Sequence, residues 1–152
     1  MALIKKVRGF SPVYDDTCWF ADNATLIGEV IMGKNCTVWF SAVVRGDVNF
    51  IKMGNKVNIQ DGVVIHGTYQ KSGTTIGNNG SIGHNALVHG CTIADNVLIG
   101  MGSVVMDDAQ VGEYSIVAAG AVVLAGTVIE PYSIYAGVPA KKVKTMAPEQ
   151  AK

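Results

Sequence analysis

An apolar residue returns at every sixth position through most of this 152-residue chain, and that period constrains the fold more than any other feature. Phe20, Leu26, Met32, Val38 and Val44 lie six apart, and the series resumes at Met53, Ile59 and Ile65 and again at Ile76, Ile82 and Val88. From Ile93 it runs unbroken through Ile99, Val105, Val111, Val117 and Val123 to Ile129. Four positions after the lead residue the side chain is usually small or β-branched: Ala24, Val30, Cys36, Ala42, Val57, Val63, Ala86, Ser103, Ala109, Ser115, Ala121 and Thr127. A period of six fits neither a 3.6-residue helix nor alternation along a long strand. It fits short strands joined by tight corners, with three hexads closing one triangular coil. A short period sustained in this way marks a solenoid. A sandwich of short strands would not require it.

The pattern resembles the hexapeptide-repeat proteins, which implies an all-β, left-handed parallel β-helix. The hand comes from that resemblance, because right-handed crossovers are the general preference for parallel strands. The length suits a single domain, residues 1–152, with repeats over about 20–135 and a short C-terminal tail over about 136–152. Breaks in the period should emerge as surface loops. Three extra residues separate the Val44 hexad from Met53, and five, within GTYQKSGTT, separate the Ile65 hexad from Ile76. One residue is missing between Val88 and Ile93.

Folding the hexads onto three faces turns the period into a map. Val44, Ile65, Val88 and Val105 lead hexads on one face in successive coils, so the next residues form a column of Arg45, His66, His89 and Met106. His66 and His89 therefore stack one coil apart, at about the 4.8 Å spacing of neighbouring strands. Imidazoles at that distance can share one ion at about 2.0–2.1 Å. His84 belongs to the preceding face, in the column Phe40, Asp61, His84 and Met101. It leaves the prism from another wall and should not reach the His66/His89 pair of its own chain. A closed ring of three subunits resolves this, with His66 and His89 from one chain meeting His84 of the next. These are all the histidines of the sequence, and they fall at coil-matched positions beside Arg45, Asp47, Asn58, Gln60 and Asp61. Three neutral imidazoles leave a coordination position open, as in a catalytic zinc site, where the ion lowers the pKa of bound water toward about 7.

The segments VWFSAVVRGDVNFIKMGNKVNIQDGVVIHG and TIGNNGSIGHNALVHGCTIADNVLIGMGSVV closely resemble the γ-class carbonic anhydrase family, over about residues 10 to 145. The resemblance implies a homotrimer that hydrates CO2 reversibly to bicarbonate with a metal-bound hydroxide at each subunit interface. The metal ligands are then His66, His84 and His89, and the cofactor Zn2+, with Fe2+ or Co2+ as alternatives. It also implies an intersubunit ion pair between Arg45 and Asp47, a role for Gln60 in orienting the hydroxide, and one for Asn58 in positioning CO2. Asp61 either pairs with a neighbour's Arg45 or supports a ligand.

Two departures from the family pattern bear on activity. Val48 and Asn49 follow RGD, and TYQKSGTT holds no acid, so the glutamates of the best-studied branch, one a proton shuttle, are missing. The chain resembles the loop-poor branch, which implies weak activity. It also stops at KTMAPEQAK, soon after YAGVPAKKV, where many relatives carry a long amphipathic helix. Tyr135 leads a hexad and is expected as a core or rim aromatic. The same fold serves acyl-CoA thioesterases and acyltransferases, and a non-catalytic metal-binding trimer is a further alternative.

Composition narrows the setting. Twelve basic residues balance twelve acidic ones, so no net field draws the chain to nucleic acid or an anionic membrane. The AKKVK cluster is expected to be a solvated terminal face. Cys18, Cys36 and Cys91 are scattered without CxxC spacing, which points to a reducing cytoplasm rather than a disulfide framework. No apolar run approaches the roughly 18 residues of a membrane helix, and MALIKKVRGF lacks the apolar core of a secretory signal.

Overall fold

In the computed structural model, which describes residues 1–151, the hexads wind into a left-handed parallel β-helix of seven stacked rungs. Leu26, Val44, Ile65, Val88, Val105 and Val123 stack in register down the first wall. Met32, Met53, Ile76, Ile93, Val111 and Ile129 do so down the second. Phe20, Val38, Ile59, Ile82, Ile99, Val117 and Tyr135 make the third. Between Leu26 and Ile129 every lead residue is buried, so the period is the footprint of one continuous core. The two end residues, Phe20 and Tyr135, are only partly buried and pack against it. Each inward Val or Ile meets its counterparts in the coils above and below, burying nearly all its apolar surface, worth about 1.5–3 kcal/mol per side chain.

The small residues four places on are buried where the prism narrows, except Thr127 in the last coil. The serines among them keep their hydroxyls bonded. Ser103 Oγ donates to the Gly100 carbonyl at 2.7 Å and Ser115 Oγ to that of Glu130 at 2.8 Å. At another corner side chains form a ladder between coils. Asn55 Oδ1 accepts from the Lys34 N–H, Asn78 Oδ1 from that of Asn55, and Asp95 Oδ1 from that of Asn78, all at 2.7–2.8 Å.

The first and second walls form one eleven-stranded sheet because Thr25–Met32 and Val43–Met53 run round the corner between them. Their pairing slips between Gly28 and Val30, where the three extra residues of the longer strand bulge outward. Gly28 adopts a positive φ of 74°, and a Cβ on either Gly28 or Gly46 would strike a backbone carbonyl of the adjacent coil. The glycine of RGD is thus fixed by coil packing, and Arg45 and Asp47 flank that contact.

Both ends differ from the simple repeat. Leu3–Lys5 pairs with Thr25–Met32, and Val13 bridges to Ile31, so the chain before Phe20 adds a first coil without the six-residue period. At the other end, Lys141–Thr145 turns back antiparallel onto Ser133–Ala136. The first part of the expected tail is therefore an edge strand. All its residues are exposed and three are lysines, a charge pattern that discourages pairing with further chains. Lys142 Nζ reaches Glu130 at 2.8 Å.

Candidate metal centre

His66 ends the strand Val64–His66 and His89 ends Leu87–His89, and the two are direct register partners on the first wall. Their rings lie 5.1 Å apart at 68°, with His66 Nδ1 facing His89 Nε2 at 3.2 Å. The outer nitrogens are held by carboxylates. His66 Nε2 lies 2.9 Å from Asp47 Oδ1, and His89 Nδ1 lies 2.5 Å from Asp107 Oδ1. Arg45 Nη1 donates to Asp47 Oδ2 at 2.6 Å, while the Thr68 hydroxyl donates to Asp107 Oδ2. The result is a continuous row: Arg45, Asp47, His66, His89, Asp107, Thr68.

Electrostatics favours the ionised form of both carboxylates. Partial burial pushes the Asp47 carboxyl up, but hydrogen bonds from His66 and Arg45 outweigh it and leave the pKa below the usual value. Asp107 is likewise raised by burial and lowered further by the Thr68 and His89 hydrogen bonds. Ionised carboxylates only accept, so both outer ring nitrogens must donate. A neutral imidazole that donates from its outer nitrogen leaves the inner one bare. Two neutral rings held in this way would present their lone pairs to one another across 3.2 Å.

His84 stands apart, 48% exposed at its side chain, on the third wall. Its Nδ1 lies 3.2 Å from Asp61 Oδ1. It lines a hollow of about 220 Å³ with Trp39, Asn58, Gln60 and Asp61. Asn58 Oδ1 accepts from Thr37 Oγ1 and from Trp39 Nε1, both at 2.9 Å, which orients its amide. The eight residues singled out in the sequence therefore form two clusters. Arg45, Asp47, His66 and His89 share the first wall, and Asn58, Gln60, Asp61 and His84 the third. Among the described residues of one chain, no three His, Cys, Asp or Glu side chains come close enough to hold an ion.

The Arg45–Asp47 pair, implied by the family resemblance to cross between subunits, closes here within one chain. Within one chain, Asp61 stands beside His84. The two loop segments without acids are neighbours, since Asn49 Nδ2 donates to the Thr68 carbonyl at 3.1 Å.

Asp107, Thr68 and Trp39 escaped the sequence reading. A lattice signal for Asp107 existed, because one step beyond the histidine column the first wall reads Gly46, Gly67, Gly90, Asp107. Three glycines leave space and a carboxylate follows.

The half-site on the first wall suits a metal ion. Two nitrogens 3.2 Å apart, each about 2.0–2.1 Å from one ion, subtend about 100°, near the tetrahedral angle. Carboxylates behind both rings are the usual support for metal-ligating imidazoles.

Fold and site together define a hexapeptide-repeat β-helix protein with its histidines divided between two walls. Residues 90–125 match the bacterial transferase hexapeptide (six repeats) family. The chain is 38% identical over 145 residues to γ carbonic anhydrase 2, mitochondrial, of Arabidopsis thaliana, a match covering 92% of this chain and 52% of that protein. It thus spans about half the length of that plant relative. It is 41% identical over 143 residues to the carnitine operon protein CaiE of Escherichia coli K12, covering 94% and 72% of the two chains. The crystal structure of a hexapeptide transferase family protein from Anaplasma phagocytophilum superposes with a TM-score of 0.93 at 40% identity, over 98% and 87% of the chains. The chain belongs to the γ-carbonic anhydrase-like family of hexapeptide-repeat proteins.

Proposed function

We propose that this protein is a metal-dependent, γ-type carbonic anhydrase working as a homotrimer. The observation that carries the reading is the pair of carboxylate-backed imidazoles whose inner nitrogens face each other at 3.2 Å. Such a pair is poorly placed without a cation. His66 and His89 of one subunit and His84 of the next would hold the ion, with zinc, ferrous iron and cobalt all compatible with three imidazoles. When bound, such an ion supplies hydroxide at neutral pH by lowering the pKa of water toward about 7.

The protein's own groups would do the rest. Asp47 and Asp107 hold the His66 and His89 rings with the remaining nitrogens facing each other. Asp61 lies 3.2 Å from His84 Nδ1, so that His84 Nε2 would be the atom to reach the ion. Gln60 and Asn58 offer amides in the adjoining hollow, positioned to orient the attacking water and a linear, apolar substrate. Trp39 gives that hollow an apolar side.

Surface character supports assembly of the first wall against the third. In the outward column before each lead residue, the first wall presents Thr25, Val43, Val64, Leu87, Val104 and Val122, and the third presents Trp19, Leu98, Ile116 and Ile134 beside Thr37, Asn58 and Ser81. The middle of the second wall instead presents Lys52, Thr75, Thr92 and Gln110. An apolar column such as that of the first wall seeks a partner, and the apolar positions of the third wall could supply one.

A transferase or thioesterase reading has one observation in its favour. An apolar groove of about 300 Å³, lined by Leu98, Met101, Ile116 and Ala118, also reaches Gln60 and Gly83, the neighbour of His84 in sequence. In that reading His84 would be the base, because its Nε2 alone is free of the row on the first wall. Stopped-flow CO2 hydration by zinc-loaded and, anaerobically, ferrous-loaded protein decides between them, alongside release of CoA from short acyl-CoA esters. Hydration that depends on all three histidines supports the first reading. Thioester turnover that depends on His84 alone supports the second.

A further inference from the structure

We propose that Asp107, held in place by Thr68, is the positioning residue of His89, and that the loop over 67–73 exists to clasp it. This rests on the metal reading above.

His89 is the last residue of its strand, at the corner that lacks one residue of the repeat. Among the described residues, Asp107 alone anchors the outer edge of the ring, through Oδ1 at 2.5 Å from Nδ1. The other carboxylate oxygen of Asp107 accepts the Thr68 hydroxyl. Thr68 reaches it from 39 residues away in sequence, out of the five-residue excess that follows His66. The loop turns on itself through the Thr68–Ser72 bridge and crosses the corner of the His89 coil to reach the coil beyond.

A second tie, independent of Asp107, fastens the same loop. Ser72 Oγ bonds to Asp108 Oδ1 at 2.8 Å, and Lys71 Nζ lies 3.6 Å from Asp108 Oδ2. Gly90 lies under the clasp at a φ of 60°, and a Cβ there would fall 2.9 Å from Asp107 Cγ and 3.0 Å from Ser72 Cβ. Such contacts are too close for an ordinary side chain, so the glycine after His89 leaves the space the clasp occupies. Three departures from a plain repeat thus converge on one imidazole: the inserted loop, the shortened corner and the carboxylate one coil on.

The chemistry follows from acceptor geometry. With Oδ1 accepting from Nδ1–H, the bare Nε2 of His89 is turned toward His66 Nδ1, and ring rotation is restrained. Without Asp107 the proton can move to either nitrogen and the ring can turn away. Asp47 does the same for His66, which leaves the two backed rings as a preset pair.

The test compares Asp107→Ala, Asp107→Asn, Thr68→Ala, Thr68→Ser and Ser72→Ala with the unaltered trimer. Zinc affinity is measured by competition with a chromophoric chelator, and the His89 tautomer of the metal-free protein by 15N NMR. We expect the unaltered protein to show Nδ1–H at His89 and both Asp107 variants to lose that preference. Zinc affinity should fall about 10- to 100-fold in those variants. Thr68→Ala should weaken zinc by less, Thr68→Ser should restore it, and Ser72→Ala, which loosens the loop without touching Asp107, should leave affinity and tautomer unchanged. Unchanged tautomer and affinity in Asp107→Asn would overturn the proposal. So would a loss in Ser72→Ala equal to that in Thr68→Ala, which would reduce the loop to a general stabiliser. If the unaltered protein binds no zinc, the metal reading fails, and the tautomer comparison still decides what Asp107 does.

Discussion

His66 and His89 are 23 residues apart in sequence, yet they are register partners on adjacent strands with facing nitrogens 3.2 Å apart. Each ring is backed by a carboxylate on its far side, so two anionic groups flank the facing nitrogens and favour positive charge between them. Several measurable consequences follow from this arrangement and from the coil that supports it.

His66→Ala, His84→Ala and His89→Ala should each abolish binding of the interfacial ion, although His84 shares no contact with the other two in one chain. All three side chains are at least partly exposed, so folding should survive, with stability changes of about 1 kcal/mol or less. Metal content by plasma emission and thermal melts by circular dichroism check both halves. Retention of the full metal complement in His84→Ala would count against a site shared between subunits.

Assembly should depend on the third wall and not on the second. Leu98 is 42% exposed beside the apolar groove, and a charge there would have to be desolvated on association. Leu98→Glu should yield monomers in sedimentation velocity, whereas Gln110→Glu on the second wall should remain trimeric. The reverse outcome would mean that other walls pack together.

Gly46→Ala should destabilise the protein by about 1–3 kcal/mol, because a methyl group at that position collides with the backbone of the adjacent coil. Arg45 and Asp47 flank the glycine, so metal affinity should fall as well. Urea unfolding followed by tryptophan fluorescence gives the first quantity. A midpoint equal to that of the unaltered protein would show that the corner can widen freely.

Burial raises the Cys36 thiol above its ordinary value of 9.0. A group whose pKa is raised on folding contributes stability that is present below its unfolded pKa and lost as pH rises through the folded one. Stability should therefore decline as pH climbs past that ordinary value, and the decline should be shallower in Cys36→Ala. Urea midpoints at pH 7 and pH 10 for both proteins provide the comparison, and parallel declines would remove Cys36 as a cause.

Much of the fold was legible because every coil from Phe20 onward obeys one geometric rule. An inward aliphatic every six residues can be read from sequence wherever that rule holds, and the column that joined His66 to His89 came directly from it. The ends were less legible for a physical reason. The first coil turns through Val7 and Phe10, whose backbones bond to each other, and carries no hexad spacing. Lys141–Thr145 is exposed at every residue, so it has no buried inward residues to leave a period, and its lysines read equally well as a solvated tail.

The site was legible to the depth of one column. Arg45, His66 and His89 share a position in the hexad, whereas Asp107 sits one place further and is reached by a loop residue, Thr68. Loop residues have no lattice address, so that contact required coordinates. Asp61 beside His84 was within reach of the lattice, since both occupy the third place of their hexads.

The central claim is that one site draws His66 and His89 from one subunit and His84 from another. Co-refolding His84→Ala chains with chains carrying both His66→Ala and His89→Ala tests it most directly. Neither variant alone can assemble a complete site, but any mixed ring contains a single interface where an intact first wall meets an intact third wall. Mixed trimers, separated by a charge tag, should recover one bound ion each, together with a corresponding fraction of CO2 hydration. Mixed trimers that bind no metal, or metal bound fully by either variant alone, would contradict the account.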